Sequence, residues 1–147
     1  MTFAFPHSLT GSVLAFAIAL VALPVEAGSN RVSVDQWGRS NQMAISQSGH
    51  RQRVTITQSG RSNLSLNTQD GARNRVVVGQ VGCNNVADTA QAGQRNIVGV
   101  SQIGCRNDAT VTQGGQRNAV GIIQTGRGNA ATATQHGTGN VVLIIQD

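Results

Sequence analysis

Two cysteines, three histidines and eleven arginines are the residues of this 147-residue chain best able to do chemistry. A hydrolytic centre needs a nucleophile, a base within reach and an acid to orient it. His7, His50 and His136 share no motif with such a set, and Glu26 is the only glutamate. There is no phosphate-binding glycine loop, and Cys83 and Cys105 have no histidine at metal-ligand spacing. Catalysis, a cofactor and a metal are therefore not expected. The cysteines are left with mutual oxidation, and the arginines with attraction of anions.

The elements that position these residues follow from a strict period. Glutamine stands at Gln36, Gln47, Gln58, Gln69, Gln80, Gln91, Gln102, Gln113, Gln124, Gln135 and Gln146, always eleven apart. Glycine follows two residues after each of the first ten. Asparagine comes three residues later, at Asn41, Asn63, Asn74, Asn85, Asn96, Asn107, Asn118, Asn129 and Asn140, with Gln52 the one substitute. An 11-residue repeat could be a right-handed coiled coil. A Gly and an Asn in every unit would cost such a helix about 1 kcal/mol or more per repeat. Val, Ile and Thr fill the remaining positions and favour strands, while Gly-x-x-Asn is a turn signal.

Alternation sets the faces. Asn, the residues two and four after it, and the next Gln share one side of a strand. In alternate units that side carries Val54/Ile56, Val76/Val78, Val98/Val100, Val120/Ile122 and Val142/Ile144. In the others it carries Met43/Ile45, Ser65/Asn67, Ala87/Thr89, Ala109/Val111 and Ala131/Ala133. The full repeat is thus 22 residues, a bulky strand facing a mostly small one across a thin core. The expected fold is all-β: a two-sheet β-solenoid of five 22-residue rungs, in which Gln and Asn form vertical amide ladders. Ser65/Asn67 marks the weakest rung.

In this frame Cys83 and Cys105 occupy the same turn on adjacent rungs, with Cα atoms about 5 Å apart, and a disulfide is expected between them. Two reduced thiols in a small-residue slot are the alternative. Arg51, Arg73, Arg95 and Arg117 stack at one turn, and Arg39, Arg61 and Arg127 share the other turn's column with the cysteines. Three readings stand for the four-arginine stripe: solvated turn residues, gatekeepers against premature association, or a stripe for anionic polysaccharide or extracellular DNA.

The ends differ from the repeats. Residues 13–23 are an unbroken apolar run, too short for a membrane span and suited to a secretory signal peptide. Small residues at Val25 and Ala27 place its cleavage after Ala27. Residues 1–27 are thus a signal peptide, residues 28–35 a short N-terminal segment, and residues 36–147 the repeat domain of ten 11-residue units. Eleven Arg against five Asp leave residues 28–147 with a formal charge of +6. At the far end, residues 141–145 are apolar on both faces. That strand is either an uncapped edge or is covered by residues 28–35.

The pattern resembles the curlin repeat, over about residues 36–147. Residues 101–113 match its signature at Gln102, Gly104, Asn107, Ala109 and Gln113, and residues 69–74 look like a curlin turn. The resemblance implies a subunit of an extracellular amyloid fibre on a bacterial surface, acting in adhesion and biofilm matrix. It also implies a companion curlin subunit and an outer-membrane export channel. The family carries a sizeable segment after its signal peptide, and this chain has only residues 28–35 there. The rival expectation is a monomeric, secreted β-solenoid that binds glycan, another polyanion or ice. Thr55/Thr57, Thr110/Thr112 and Thr132/Thr134 would serve ice, and Ser65/Asn67 a discrete ligand.

Overall fold

The computed structural model describes residues 29–147; the signal-peptide reading of residues 1–27 lies outside them. Among the described residues the chain forms eleven strands. They are β1 (Arg31–Arg39), β2 (Gln42–His50), β3 (Arg53–Arg61), β4 (Leu64–Ala72), β5 (Arg75–Cys83), β6 (Val86–Gln94), β7 (Ile97–Cys105), β8 (Asp108–Gln116), β9 (Ala119–Arg127), β10 (Ala130–Thr138) and β11 (Val141–Gln146). Two residues separate each strand from the next.

The odd strands form a six-stranded parallel sheet in the order β1-β3-β5-β7-β9-β11, and the even strands a five-stranded one. Register never slips: Val54 pairs with Val76, Val76 with Val98 and Val98 with Val120, each 22 residues on. The two-sheet solenoid and its 22-residue period are thus as the alternation predicts. The winding extends half a rung further than five, because β1 is an additional strand. Val32 and Val34 stand 22 residues before Val54 and Ile56 and pair with them. Arg31 to Asp35 therefore form the first half of β1, at the end of the stack opposite β11. They do not cover β11.

The core lies between the sheets. Val54, Ile56, Val76, Val78, Val98, Val100, Val120 and Ile122 fill it from one side, and Ala87, Ala109, Val111, Ala131 and Ala133 from the other. Ser65 and Asn67 are sealed inside. Asn67 Nδ2 donates to Ser65 Oγ at 2.9 Å, and Thr89 Oγ1 donates to Asn67 Oδ1 at 2.7 Å. An unsatisfied polar group there would cost about 1–3 kcal/mol; these three satisfy one another. Being buried, they leave no concave ligand site.

Each corner uses two left-handed residues. The repeat Gly has φ from 91° to 123° in the ten turns, and the residue two after it has φ from 53° to 78°. Glycine is obligatory at the first position for a second reason. A Cβ on Gly82 would stand 1.9 Å from the carbonyl oxygen of Gly104 on the next rung. The second position is filled by Arg51, Arg73, Arg95, Arg106 and Arg117, among others. A non-glycine residue there carries a strain of about 1–2 kcal/mol.

Candidate functional site

The side chains that could act together are the amides, because the winding brings those of the repeat into four columns. In the six-stranded sheet Gln36, Gln58, Gln80, Gln102, Gln124 and Gln146 stack. Each Nε2 donates to the Oε1 of the next, at 2.8–3.0 Å. In the five-stranded sheet Gln47, Gln69, Gln91, Gln113 and Gln135 do the same at 2.8–3.0 Å. The second amide hydrogen ties the two sheets: Gln80 Nε2 also reaches the Leu64 carbonyl at 3.0 Å, and Gln102 Nε2 that of Val86 at 2.8 Å.

Asparagine closes the corners. Asn74 Nδ2 donates to the Asp70 carbonyl at 2.9 Å within its turn and to the Gly93 carbonyl at 3.1 Å on the next rung. Its Oδ1 accepts the backbone N–H of Asn96 at 3.0 Å. Asn63, Asn85, Asn107 and Asn129 continue the column that Asn41 begins, and Asn118 and Asn140 the column of Asn74 and Asn96. Asn30 heads that second column: it donates to the Gly49 carbonyl at 3.1 Å and accepts the Gln52 N–H at 3.0 Å. The sequence reading began at Gln36 and missed it, although Asn30 stands eleven residues before Asn41. Gln52 fits its slot imperfectly. Its Oε1 is buried without a partner, and it takes no bond from Asn74.

Among the described residues, no further strand covers β1 at one end of the stack or β11 at the other. Val141, Leu143 and Ile145 are 77%, 63% and 66% exposed on the outer face of β11. On β10, Gln135 Nε2 is buried and has no acceptor. Each earlier Gln of that sheet gives its Nε2 to the Gln one rung on, and among the described residues the sheet has no strand beyond β10.

Cys83 and Cys105 are register partners on β5 and β7 and are joined in a disulfide with Cα atoms 4.6 Å apart. Arg51, Arg73, Arg95 and Arg117 occupy equivalent corners of successive rungs. A second arginine column runs beside the first three rungs, because Arg31 pairs with Arg53 and Arg53 with Arg75. Arg31, Arg51, Arg53, Arg73 and Arg75 line a groove of about 620 Å³ without an acidic residue. Sequence reasoning gives both turn columns but not the Arg31/Arg53/Arg75 column, because its strand position lies outside the Gln-Gly-Asn motif.

His50 on β2 and His136 on β10 lie at opposite edges of the five-stranded sheet and cannot share a site. Thr110 and Thr112 pair with Thr132 and Thr134, but the next strand presents Asp88 and Ala90 at those positions. Thr55 and Thr57 are on the other sheet. Among the described residues no group of three or more His, Cys, Asp or Glu could hold a metal ion. No helix among them is long and apolar enough to cross a membrane.

Parallel in-register strands, amide ladders and a 22-residue rung define a β-solenoid built from structural repeats. The family model of the curlin associated repeat matches residues 27–60, 49–82 and 104–137, and the chain belongs to the curlin-repeat family. Curlin repeats and this fold fit a curli-type structural subunit, in a family that is structural rather than enzymatic. Comparison with curated proteins finds no match.

Proposed function

We propose that the chain is an exported subunit that polymerises into an extracellular curli-type amyloid fibre, serving cell adhesion and biofilm matrix. One observation carries this reading: among the described residues the Gln column of the five-stranded sheet ends on a buried Gln135 Nε2 without an acceptor, beside the exposed apolar edge of β11. Solenoids that remain monomeric close such faces with polar caps. An open edge is instead a template for further strands, and here a second copy offers the matching amides. Residues 1–27 supply the export signal in this reading, with an outer-membrane channel and a companion curlin subunit as partners.

Thioflavin-T kinetics on residues 28–147, with fibre diffraction on the product, tests it. A lag followed by growth, with reflections near 4.8 and about 10 Å, is expected. A protein that stays soluble and monomeric for days would overturn the reading in favour of a secreted binding module.

The arginine groove favours a second role, retention of an anionic matrix polymer on the fibre. Its two columns repeat a positive charge at roughly each 4.8 Å rung, a spacing suited to a polyanion running along the axis. Binding of dextran sulfate and of duplex DNA at several salt concentrations tests this. Arg53→Ser with Arg75→Ser should lower the affinity for both and flatten its salt dependence. An unchanged affinity would assign these arginines to solvation alone.

A further inference from the structure

The odd number of strands among the described residues makes the two sheets unequal, and this decides how one copy can follow another. The six-stranded sheet projects half a rung beyond the five-stranded one at both ends, with β1 at one and β11 at the other. A second copy added in the same orientation would place its β1 on β11. A vacancy one strand wide would then remain beyond β10, and Gln135 Nε2 would still lack an acceptor. We propose that consecutive copies are instead related by a half-turn about the fibre axis, a geometry that rests on the polymerisation proposed above. The incoming β1 then joins the five-stranded sheet on β10, and its β2 joins the six-stranded sheet on β11. The two projecting half-rungs interlock, and both sheets continue without a gap.

Extending the register supports this geometry at each slot. Gln135 Nε2 meets Gln36 Oε1 of the incoming copy, and Gln146 meets Gln47. Gly137 stands beside Gly38, as each corner glycine stands beside the next within the chain. On the outer face Thr132 lies beside Ser33, Thr134 beside Asp35 and His136 beside Trp37. Leu143 and Ile145 lie beside Ala44 and Ser46. Without the half-turn, Val141 falls beside Arg31 and Ile145 beside Asp35, setting apolar side chains against charges at a sheet edge. Inside, the half-turn sets Val32 and Val34 opposite Val142 and Ile144. The same faces meet in the first rung, where Val32 and Val34 of β1, 48% and 40% exposed at the stack end, stand opposite Met43 and Ile45, which pack against the core. Each added copy then rises five and a half rungs, about 26 Å, against about 29 Å for unrotated stacking. The arginine groove alternates between the two edges of the fibre.

Cysteine pairs across the junction test the arrangement, since Cys83 and Cys105 show that register partners on neighbouring strands can be bridged. Thr134→Cys protein is mixed with Asp35→Cys protein, grown and oxidised, and Ile145→Cys with Ser46→Cys likewise. Both mixtures should yield covalent dimers, while Ile145→Cys mixed with Asp35→Cys should stay at the background of each variant alone. Cross-linking in the third mixture would overturn the half-turn, as would thioflavin-positive fibres that cross-link in none. Failure of all mixtures and of the unmodified protein to form fibres would overturn polymerisation itself. Helical reconstruction of unmodified fibres gives an independent reading, an axial rise of about 26 Å with a half-turn per copy.

Discussion

Gly99 and Gly104 lie five residues apart on β7 and answer to different constraints. Around Gly99 nothing stands within 4 Å of an added Cβ, whereas at Gly104 (φ 121°) the Gly126 oxygen would be 1.9 Å away. Gly99→Ala should therefore be tolerated, or stabilise by about 0.5–1 kcal/mol through a less flexible unfolded chain. Gly104→Ala should prevent closure of that corner, leaving no cooperative unfolding transition by circular dichroism. Gln52 gives a residue-scale prediction of the opposite sign. Its extra methylene leaves Oε1 buried and unpartnered where an Asn would accept the next amide. Gln52→Asn should restore that bond and raise stability by about 1 kcal/mol, read as a higher midpoint in guanidinium.

Among the elements, β5 and β7 are held by a covalent tie as well as by their ladder. The disulfide closes a loop of 22 residues. In the chain-entropy account a loop of that size is worth about 3 kcal/mol. Cys83→Ser with Cys105→Ser, or reduction of the unmodified protein, should lower the unfolding midpoint by that order. A change below about 0.5 kcal/mol would show that the ladders hold this pair of rungs unaided. At the β10 end the corner glycine Gly137 faces no rung of its own chain, and an added Cβ there meets only Asn140 Nδ2 at 3.4 Å. Gly137→Ala meets no clash but keeps the backbone strain of φ 109°, so it should lower monomer stability by about 1–2 kcal/mol without abolishing the folded circular dichroism, yet slow elongation from preformed seeds several-fold. Equal elongation rates would show that this corner is not covered in the fibre.

For the whole molecule, charge and period set the behaviour. Eleven Arg, no Lys and five Asp in residues 28–147 make the chain strongly basic, and the arginine columns place like charges well within a Debye length, about 8–10 Å at moderate salt. Raising sodium chloride from about 10 to about 150 mM should shorten the lag of assembly, since it screens the columns. An unchanged lag would show that the columns do not restrain association. The same regularity made the fold legible. Period, turn chemistry and face alternation all point to one winding, with no insertion to displace the register. The half-rung β1 was harder to read, because Val25 stands where its preceding repeat glutamine would be. Asn30 is in phase with the repeat asparagines, but Val25 and Ala27 stand where the Gln and Gly before it would be; the Arg31/Arg53/Arg75 column lies outside the motif and is created by pairing across strands. The unpartnered Gln135 Nε2 is a property of where a stack stops, visible only once the strands are ordered.

The disulfide also carries information. Each rung presents nearly the same amides at the same heights, so a strand laid one rung too far along would still find a Gln for its Gln and an Asn for its Asn. Such a misalignment is a spelling error that the ladders do not detect. Cys83 and Cys105 are the only two of their kind, and their bond identifies β5 and β7 as neighbours before the rest of the stack is read. An oxidised chain therefore begins winding from a numbered page, and a reduced one from any page.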